Sequence, residues 1–300
     1  MLQPQKILDD LTLSPLVYGV WRLADDPDTS VKHTSAKIDA CLQQGISSFD
    51  HADIYGDYQC EQLFGKALAS SPQLRSQMQL ISKCNIAIPS PKFAQRRVKH
   101  YDTSTQYIHH SVDTSLKNLH TDHLDLLMLH RPDPFMDAAQ TGAALDQLVN
   151  SGKVRAIGVS NFMPVDWQLL QKHMQHKIAV NQIEISLLQT TCFIDGTLAS
   201  MQVDDITAMA WSPLAAGQLF NGDAAAVRLK PLLERLAEQH QCRTEHIAIA
   251  WLLAHPAGII PVLGTNNLQR IQSLAKANSV QLDRESWFEL YSAAAGCEVP

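Results

Sequence analysis

The sequence predicts a closed (β/α)8 barrel, the TIM barrel, and three observations favour this fold. Eight short apolar runs, each as long as a buried strand, alternate along the chain with segments whose apolar residues recur at helical spacing. The length of 300 residues suits one barrel of eight such units. No change in composition and no Pro- or Ser-rich linker divides the chain, so we expect residues 1–300 to form a single barrel domain.

The predicted strands are apolar runs that end at a turn signal or at a polar residue. The run between Leu124 and Leu129 has no polar residue after Leu126, as expected for a parallel strand that is covered on both faces. In chain order the eight strands are predicted at residues 16–21, 46–49, 78–82, 124–129, 154–159, 178–182, 206–210 and 258–262.

Helices are predicted where apolar residues recur every three or four positions between these strands. Gly45 and Gly152 mark two helix ends, and Thr103 or Ser104 could cap the start of another helix. The predicted helices cover residues 35–44, 61–68, 105–119, 138–149, 164–172, 229–239, 245–253, 267–278 and 285–294. The segment 84–104 has two prolines and four basic residues and is predicted to be a long loop, either a solvated basic surface or a functional loop.

Composition narrows the class of protein. A net charge of −6 and a pI near 6.1 argue against a general nucleic-acid-binding protein. The six cysteines show no metal-type spacing and are too few for a disulfide framework, so we expect reduced thiols in a cytoplasmic protein. The N-terminal residues show no signal peptide, and the longest apolar stretch, 247–264, is broken by His-Pro-Ala-Gly, so no membrane association is expected.

Four polar residues follow predicted strands directly or within a few positions: Asp50, Tyr55, Lys83 and His130. The active site of a (β/α)8 barrel is built at the C-terminal ends of its strands, so these side chains are expected to converge. This set suits the reduction of a carbonyl group. A tyrosine can give a proton to the forming alkoxide, a lysine can favour that transfer, a carboxylate can hold the lysine, and a neutral histidine can orient the carbonyl oxygen.

The electrostatic argument can be given a magnitude. The pKa of a free tyrosine is about 10, which makes it a poor proton donor at neutral pH. An ammonium group roughly 4 Å away would contribute about 4 kcal/mol at an effective dielectric constant of about 20, equivalent to about 3 pKa units. Lys83 is therefore predicted to lower the pKa of Tyr55.

Six segments resemble the signatures of the aldo/keto reductases in order and spacing: FDHADIYG, LISKC, LLMLHRPDP, GKVRAIGVSNF, VNQIEIS and WSPLAAG. The resemblance covers nearly the whole chain and implies reduction of aldehydes and ketones by a nicotinamide cofactor. It implies that Tyr55 is the proton donor, that Lys83 and Asp50 tune it, and that His130 orients the substrate carbonyl.

The resemblance also implies a cofactor site without a G-x-G-x-x-G fingerprint. Ser160, Asn161 and Gln182 would hold the nicotinamide carboxamide, and Trp211 would stack on the ring. The remaining implied contacts are Ser212, Leu214 and Gly217 along the pyrophosphate, and Gly264, Thr265, Asn266 and Arg270 around the adenosine 2′-phosphate. Many relatives carry Lys at the position of Gly264, so one cation is lost here. Arg270 can still pair with a phosphate, so NADPH is predicted, with NADH possible.

Trp21 and Ile54 resemble wall residues of the substrate pocket, which predicts an apolar cavity with one polar end. A broad range of small carbonyl substrates is expected. The family resemblance also implies a monomer. Two other interpretations stay open. One is a cofactor-binding regulatory subunit with little turnover. The other is a metal-dependent barrel hydrolase that uses Asp50, His51, Asp53 and His130, although the H-x-H arrangement of such enzymes is missing. The carbonyl reductase interpretation implies no metal ion.

Overall fold

A computed structural model describes residues 2–222 and 224–300, and eight parallel strands form a closed barrel at its centre. Each strand pairs with the next along the chain, and the last pairs with the first through Val262 opposite Val17. The predicted (β/α)8 barrel is therefore confirmed. The strands are β1 (Val17–Gly19), β2 (Ser48–Asp50), β3 (Gln79–Cys84), β4 (Leu124–Leu129), β5 (Val154–Ser160), β6 (Ile178–Glu184), β7 (Thr207–Trp211) and β8 (Ile260–Leu263).

The strands form because their side chains are buried on both faces of the sheet. All six residues of β4 are buried, which explains the unbroken apolar run. A separate group of buried apolar residues contributed by the strands includes Ile81, Met128 and Met209, and Leu11 and Leu13 pack into it from an N-terminal hairpin. The hairpin strands are Gln5–Leu8 and Leu11–Leu13.

Helices occupy most of the predicted positions between the strands. Ser104, one of the two predicted caps, accepts a hydrogen bond from the backbone N–H of Tyr107 and begins the helix that ends at Leu119. The longer helices are Val31–Leu42, Cys60–Ala69, Thr105–Leu119, Ala138–Asn150, Pro164–Gln171, Thr197–Val203, Ala224–Gln239, Thr244–Leu253 and Arg284–Ala295. Short helices cover Tyr55–Tyr58, Gln218–Asn221 and Leu268–Ile271. None of the helices in the described ranges is both long and apolar enough to cross a bilayer.

Two sequence predictions about local structure are wrong. The segment 84–104 is not only loop, because Ile86–Ala87 pairs antiparallel with His100–Tyr101. The single helix predicted at 267–278 is broken into Leu268–Ile271 and a 3-10 turn, Leu274–Ser279. The break follows from Ser273, whose hydroxyl donates to the carbonyl of Arg270 and so competes with the helical backbone.

Candidate active site

Three neighbouring strands bring the predicted catalytic residues to one end of the barrel. Asp50 is the last residue of β2, Lys83 lies near the end of β3, and His130 follows β4 directly. Tyr55 begins the short helical turn after β2. Because β2, β3 and β4 are hydrogen-bonded neighbours, these exits lie side by side.

Lys83 is the centre of this group. Its Nζ lies 2.8 Å and 2.7 Å from the two carboxylate oxygens of Asp50, 2.8 Å from the carbonyl oxygen of His51 and 3.0 Å from the hydroxyl of Tyr55. Both Lys83 and Asp50 are buried. The expected contact between an ammonium and a phenol is therefore present, with the carboxylate beside it.

Tyr55 lies between this ion pair and His130. The tyrosine and histidine rings meet edge to face, with centroids 5.8 Å apart. Burial raises the pKa of Tyr55 above its ordinary value, although the ammonium of Lys83 acts in the opposite direction. Lys83 thus has the predicted effect on the pKa, but in the free protein desolvation is larger.

His130 is a buried imidazole that is held neutral. Desolvation lowers its pKa well below the ordinary value, and the positive charges of Lys83 and Arg131 lower it further. Its Nδ1 has no hydrogen-bond partner among the described residues. A neutral imidazole beside a phenol can donate a hydrogen bond to a carbonyl oxygen through one nitrogen, as the sequence argument requires.

Two residues that support this group were not assigned from the sequence. The side-chain oxygen of Asn85 accepts hydrogen bonds from the backbone N–H groups of His130 (2.8 Å) and Arg131 (3.2 Å), and its amide donates to the carbonyl of Arg131. His51 is fully buried against Phe64 and holds Lys83 through its carbonyl. Asn85 lies two residues after Lys83, and Asn is one of the residue types that tolerate the positive φ of 85° found there. Its residue type and its position close to Lys83 are the signal by which the sequence could have identified it.

A chain of hydrogen bonds connects four of the predicted cofactor residues to the ion pair. The side-chain amide of Gln182 donates to Asp50 (2.9 Å), and the backbone carbonyl of Gln182 accepts from the hydroxyl of Ser160 (2.8 Å). Asn161 donates to that hydroxyl (2.8 Å) and accepts from the indole N–H of Trp211 (2.9 Å). A side-chain amide offers two N–H groups and two lone pairs, so Asn161 retains capacity to bind a carboxamide.

The other predicted cofactor residues lie on two segments beside this chain. Ser212 and Gly217 have positive φ in the turn that follows β7, and Leu214 lies between them, half-buried. Gly264 and Thr265 follow β8, where the hydroxyl of Tyr18 donates to the carbonyl of Thr265 (2.9 Å).

Asn266 lies in the second of these segments and accepts a hydrogen bond from Lys37 (3.0 Å), a buried lysine that also pairs with Asp26. Arg270 is exposed on the short helix Leu268–Ile271. The predicted cofactor residues fit a nicotinamide cofactor by their chemistry, because side-chain amides and an indole lie near the strand ends and the exposed Arg270 can pair with a phosphate.

A cavity of about 380 Å³ lies at this end of the barrel, and both Trp21 and Trp211 line it. Ile54, the other predicted wall residue, is not among the lining residues and is half-buried next to Tyr55. The lining is half apolar, with Leu188, Ala215 and Ala216 beside the two aromatic residues, and half polar: Glu184, Ser186, Gln189, Ser212 and Gln218. Glu184 is the last residue of β6, and it was not among the site residues named from the sequence.

In the described part of the chain, no three His, Cys, Asp or Glu side chains are grouped so that they could hold a metal ion. The hydrolase interpretation needed such a group around Asp50, His51, Asp53 and His130. Asp50 instead pairs with Lys83, and both ring nitrogens of His51 are buried with no hydrogen-bond partner among the described residues.

Comparison with known proteins identifies the family. Residues 15–295 match the Aldo/keto reductase family. The chain is 50% identical to a 6-dehydroglucose reductase of Agrobacterium fabrum over 99% of this chain and 100% of the relative. It is 36% identical to a 6-dehydroglucose reductase of Novosphingobium aromaticivorans, over 97% of this chain and 94% of the relative.

The fold is shared with solved structures as well. An aldo-keto reductase of Klebsiella pneumoniae, solved in complex with NADPH, superposes with a TM-score of 0.80 at 22% identity, and the match covers 97% of this chain and 94% of the other. At this identity the likeness supports the barrel fold alone. Together with the sequence matches, the conclusion is that the chain belongs to the aldo/keto reductase family and is an NAD(P)H-dependent oxidoreductase.

Proposed function

We propose that this protein reduces the aldehyde group of a hydroxylated small molecule to an alcohol, with NADPH as the hydride source and Tyr55 as the proton donor. One observation carries the proposal: the hydroxyl of Tyr55 lies 3.0 Å from the Nζ of Lys83, which is itself bound to Asp50. A phenol held against a buried ammonium is suited to release a proton to a forming alkoxide.

NADPH, when bound, supplies the hydride that reaches the carbonyl carbon of the substrate. Asn161, Ser160 and Gln182 would hold its carboxamide, Trp211 would lie against its ring, and Arg270 would pair with its 2′-phosphate. The hydrogen bonds among the first four residues support this assignment, because they fix the side chains before a ligand arrives.

The proton follows a path through this chain's own residues. Tyr55 gives its hydroxyl proton to the oxygen on which negative charge develops, and the charge that then forms on the phenolate is stabilised by Lys83. Asp50 keeps Lys83 charged and fixed within the barrel wall. Burial raises the pKa of Tyr55 in the free protein, so the hydroxyl stays protonated until it is needed.

His130 binds the substrate oxygen in this proposal. An imidazole that stays neutral can donate one hydrogen bond to the carbonyl oxygen and orient it toward Tyr55. Desolvation and neighbouring positive charge, which lower the pKa of His130, support the neutral form. A charged imidazolium at the same place would compete with Tyr55 as the proton donor.

The substrate class is supported by two observations. Two relatives that match nearly the whole chain are named for the reduction of 6-dehydroglucose, a sugar that carries an aldehyde. The cavity beside Trp21 and Trp211 is about 380 Å³ in volume and carries carboxylate, hydroxyl and amide side chains. The polarity of this cavity suits a monosaccharide aldehyde.

The replacement Tyr55→Phe tests the proposal. It removes the proton donor and leaves the ring, so we expect kcat for 6-dehydroglucose to fall by about two to four orders of magnitude. The Kd for NADPH should remain nearly unchanged. Steady-state kinetics and a calorimetric titration with NADPH measure the two quantities.

Tyr291→Phe is the matched control, because Tyr291 stacks on Trp287 in the last helix, which contains none of the proposed site residues. It should keep normal turnover. Near-normal turnover in Tyr55→Phe would overturn the assignment of the proton donor.

A further inference from the structure

Arg131 follows His130 in the chain. Hydrogen bonds hold its backbone in place, whereas its guanidinium group has no hydrogen bond or ion pair among the described residues. Asn85 binds both its backbone N–H and its carbonyl, so the start of the side chain is held beside the reacting histidine. The guanidinium carbon lies 5.7 Å from the ring centroid of Trp211. No hydrogen bond or ion pair of this guanidinium occurs within the described residues, and the side chain is half-buried.

Glu184 is the second free charge at the cavity. It is the last residue of β6, lines the cavity with Trp21 and Trp211, and is half-buried. Burial raises the pKa of this carboxyl, and the charge of Arg131 acts against that rise. The two charged groups therefore influence each other, yet they form no ion pair within 4.0 Å among the described residues. Each group therefore keeps hydrogen-bonding capacity for a ligand.

These two groups complement a hydroxylated ligand. A guanidinium presents five N–H donors and no acceptor, while a carboxylate only accepts. A sugar has hydroxyl groups that can accept from one and donate to the other, and its C–H faces can pack on an aromatic ring such as that of Trp21. An apolar aldehyde could not replace the water molecules that such charged groups lose when the cavity is filled.

Resting on the proposed function, we propose that Arg131 and Glu184 are specificity-determining residues that bind hydroxyl groups of the substrate and so select a polyhydroxylated aldehyde over an apolar one. The cation–π contact with Trp211 keeps the guanidinium at the cavity. The reactive aldehyde then lies toward His130, and the hydroxyl-bearing carbons lie toward Glu184.

The test compares two aldehydes in the intact protein with NADPH. Reduction of 6-dehydroglucose and of benzaldehyde is measured for the wild type, Arg131→Met and Glu184→Gln. Each replacement should lower kcat/KM for 6-dehydroglucose by about 10-fold to 100-fold, since Arg131→Met removes a charged donor and Glu184→Gln removes the charge of an acceptor. The loss should fall mainly on KM, while kcat/KM for benzaldehyde should stay the same or rise.

Arg284→Met is the matched control, because Arg284 is exposed at the start of the last helix and should leave both substrates unaffected. An equal loss on both aldehydes in Arg131→Met and Glu184→Gln would overturn the specificity role while the reductase function stands. If Arg131→Met folds poorly, as judged by circular dichroism, Glu184→Gln decides the question alone.

A wild-type protein that reduces neither aldehyde would instead overturn the proposed function. A weaker affinity of Arg131→Met for NADPH, with unchanged selectivity between the aldehydes, would mean that Arg131 acts only by supporting Trp211. That result would also overturn the specificity role.

Discussion

Lys83 shows how one side chain can carry a buried charge. Burial alone would lower the pKa of Lys83, but the carboxylate of Asp50 and the hydroxyl of Tyr55 raise it above the ordinary value. Four oxygen atoms surround an ammonium that has only three N–H groups. The Tyr55 hydroxyl therefore shares the donors with stronger acceptors, which leaves its own proton available for a substrate.

His130 provides a pH prediction at the same scale. A group with a lowered pKa stays neutral as the pH falls through the ordinary range of histidine, about 6 to 7. We therefore expect kcat/KM for the aldehyde to show no loss with a histidine-type midpoint between about pH 5.5 and about pH 7.5. The pH profile of the wild type, compared with that of His130→Gln, measures this. A midpoint near 6.5 that disappears in His130→Gln would contradict the neutral imidazole.

The sequence allowed four catalytic candidates to be named because each follows the end of an apolar run. Asp50, Lys83 and His130 needed only the strand ends and the barrel geometry. The supporting contacts could not be predicted in the same way. The side chain of Asn85, which follows β3, binds the backbone of His130, which follows β4. His51 binds Lys83 through its backbone carbonyl, a group that every residue has.

At the scale of elements, predictions succeeded where burial on both faces produces a long pattern. β4 was predicted with its observed bounds for that reason. The hairpin of Ile86–Ala87 with His100–Tyr101 has two residues in each strand, too few to produce a pattern. Contacts distant in sequence support it, such as the hydrogen bond from the hydroxyl of Tyr107 to the carbonyl of Ile86.

The segment after β8 carries the prediction for cofactor preference. Arg270 is exposed on the short helix capped by Asn267, and no hydrogen bond or ion pair holds its guanidinium within the described ranges. Arg270→Ala should weaken NADPH binding by about tenfold or more, because a charge-assisted pair with phosphate is lost, and should leave NADH nearly unchanged. Calorimetric titration with each nucleotide measures the two affinities.

Arg97→Ala is the matched control for Arg270→Ala, because Arg97 is an exposed arginine in the segment 84–104. Arg228 is unsuitable, because its guanidinium donates hydrogen bonds to the end of the last helix. Arg97→Ala should change neither affinity. Equal weakening of NADPH and NADH in Arg270→Ala would show that Arg270 does not contact the 2′-phosphate.

At the scale of the whole molecule, a buried carboxyl group outside the Lys83–Asp50 ion pair affects the stability of the barrel. Asp53 is buried three residues from Asp50, outside the group around Lys83. One carboxyl oxygen accepts a hydrogen bond from Ser111 (2.7 Å), and the other has no partner in the described structure. Burial raises the pKa of Asp53 to about 8, Ser111 acts against this rise, and the carboxyl of Glu61 adds to it.

The consequence is a pH dependence of folding that Asp53→Asn should remove. The folded protein keeps the Asp53 proton up to a pKa of about 8, whereas the unfolded chain loses it near the ordinary value of 3.8. Between these values the folded state binds more protons, so Asp53 makes stability fall as the pH rises, by at most about 1.4 kcal/mol per pH unit.

An amide cannot ionise, so the free energy of unfolding of Asp53→Asn should improve relative to the wild type as the pH rises through this window. Urea unfolding at several pH values between about 5 and about 9 measures the difference, with the exposed Asp10→Asn as the control. A difference that stays constant over this range would mean that Asp53 is already ionised in the folded protein, and that a bound group satisfies its second oxygen.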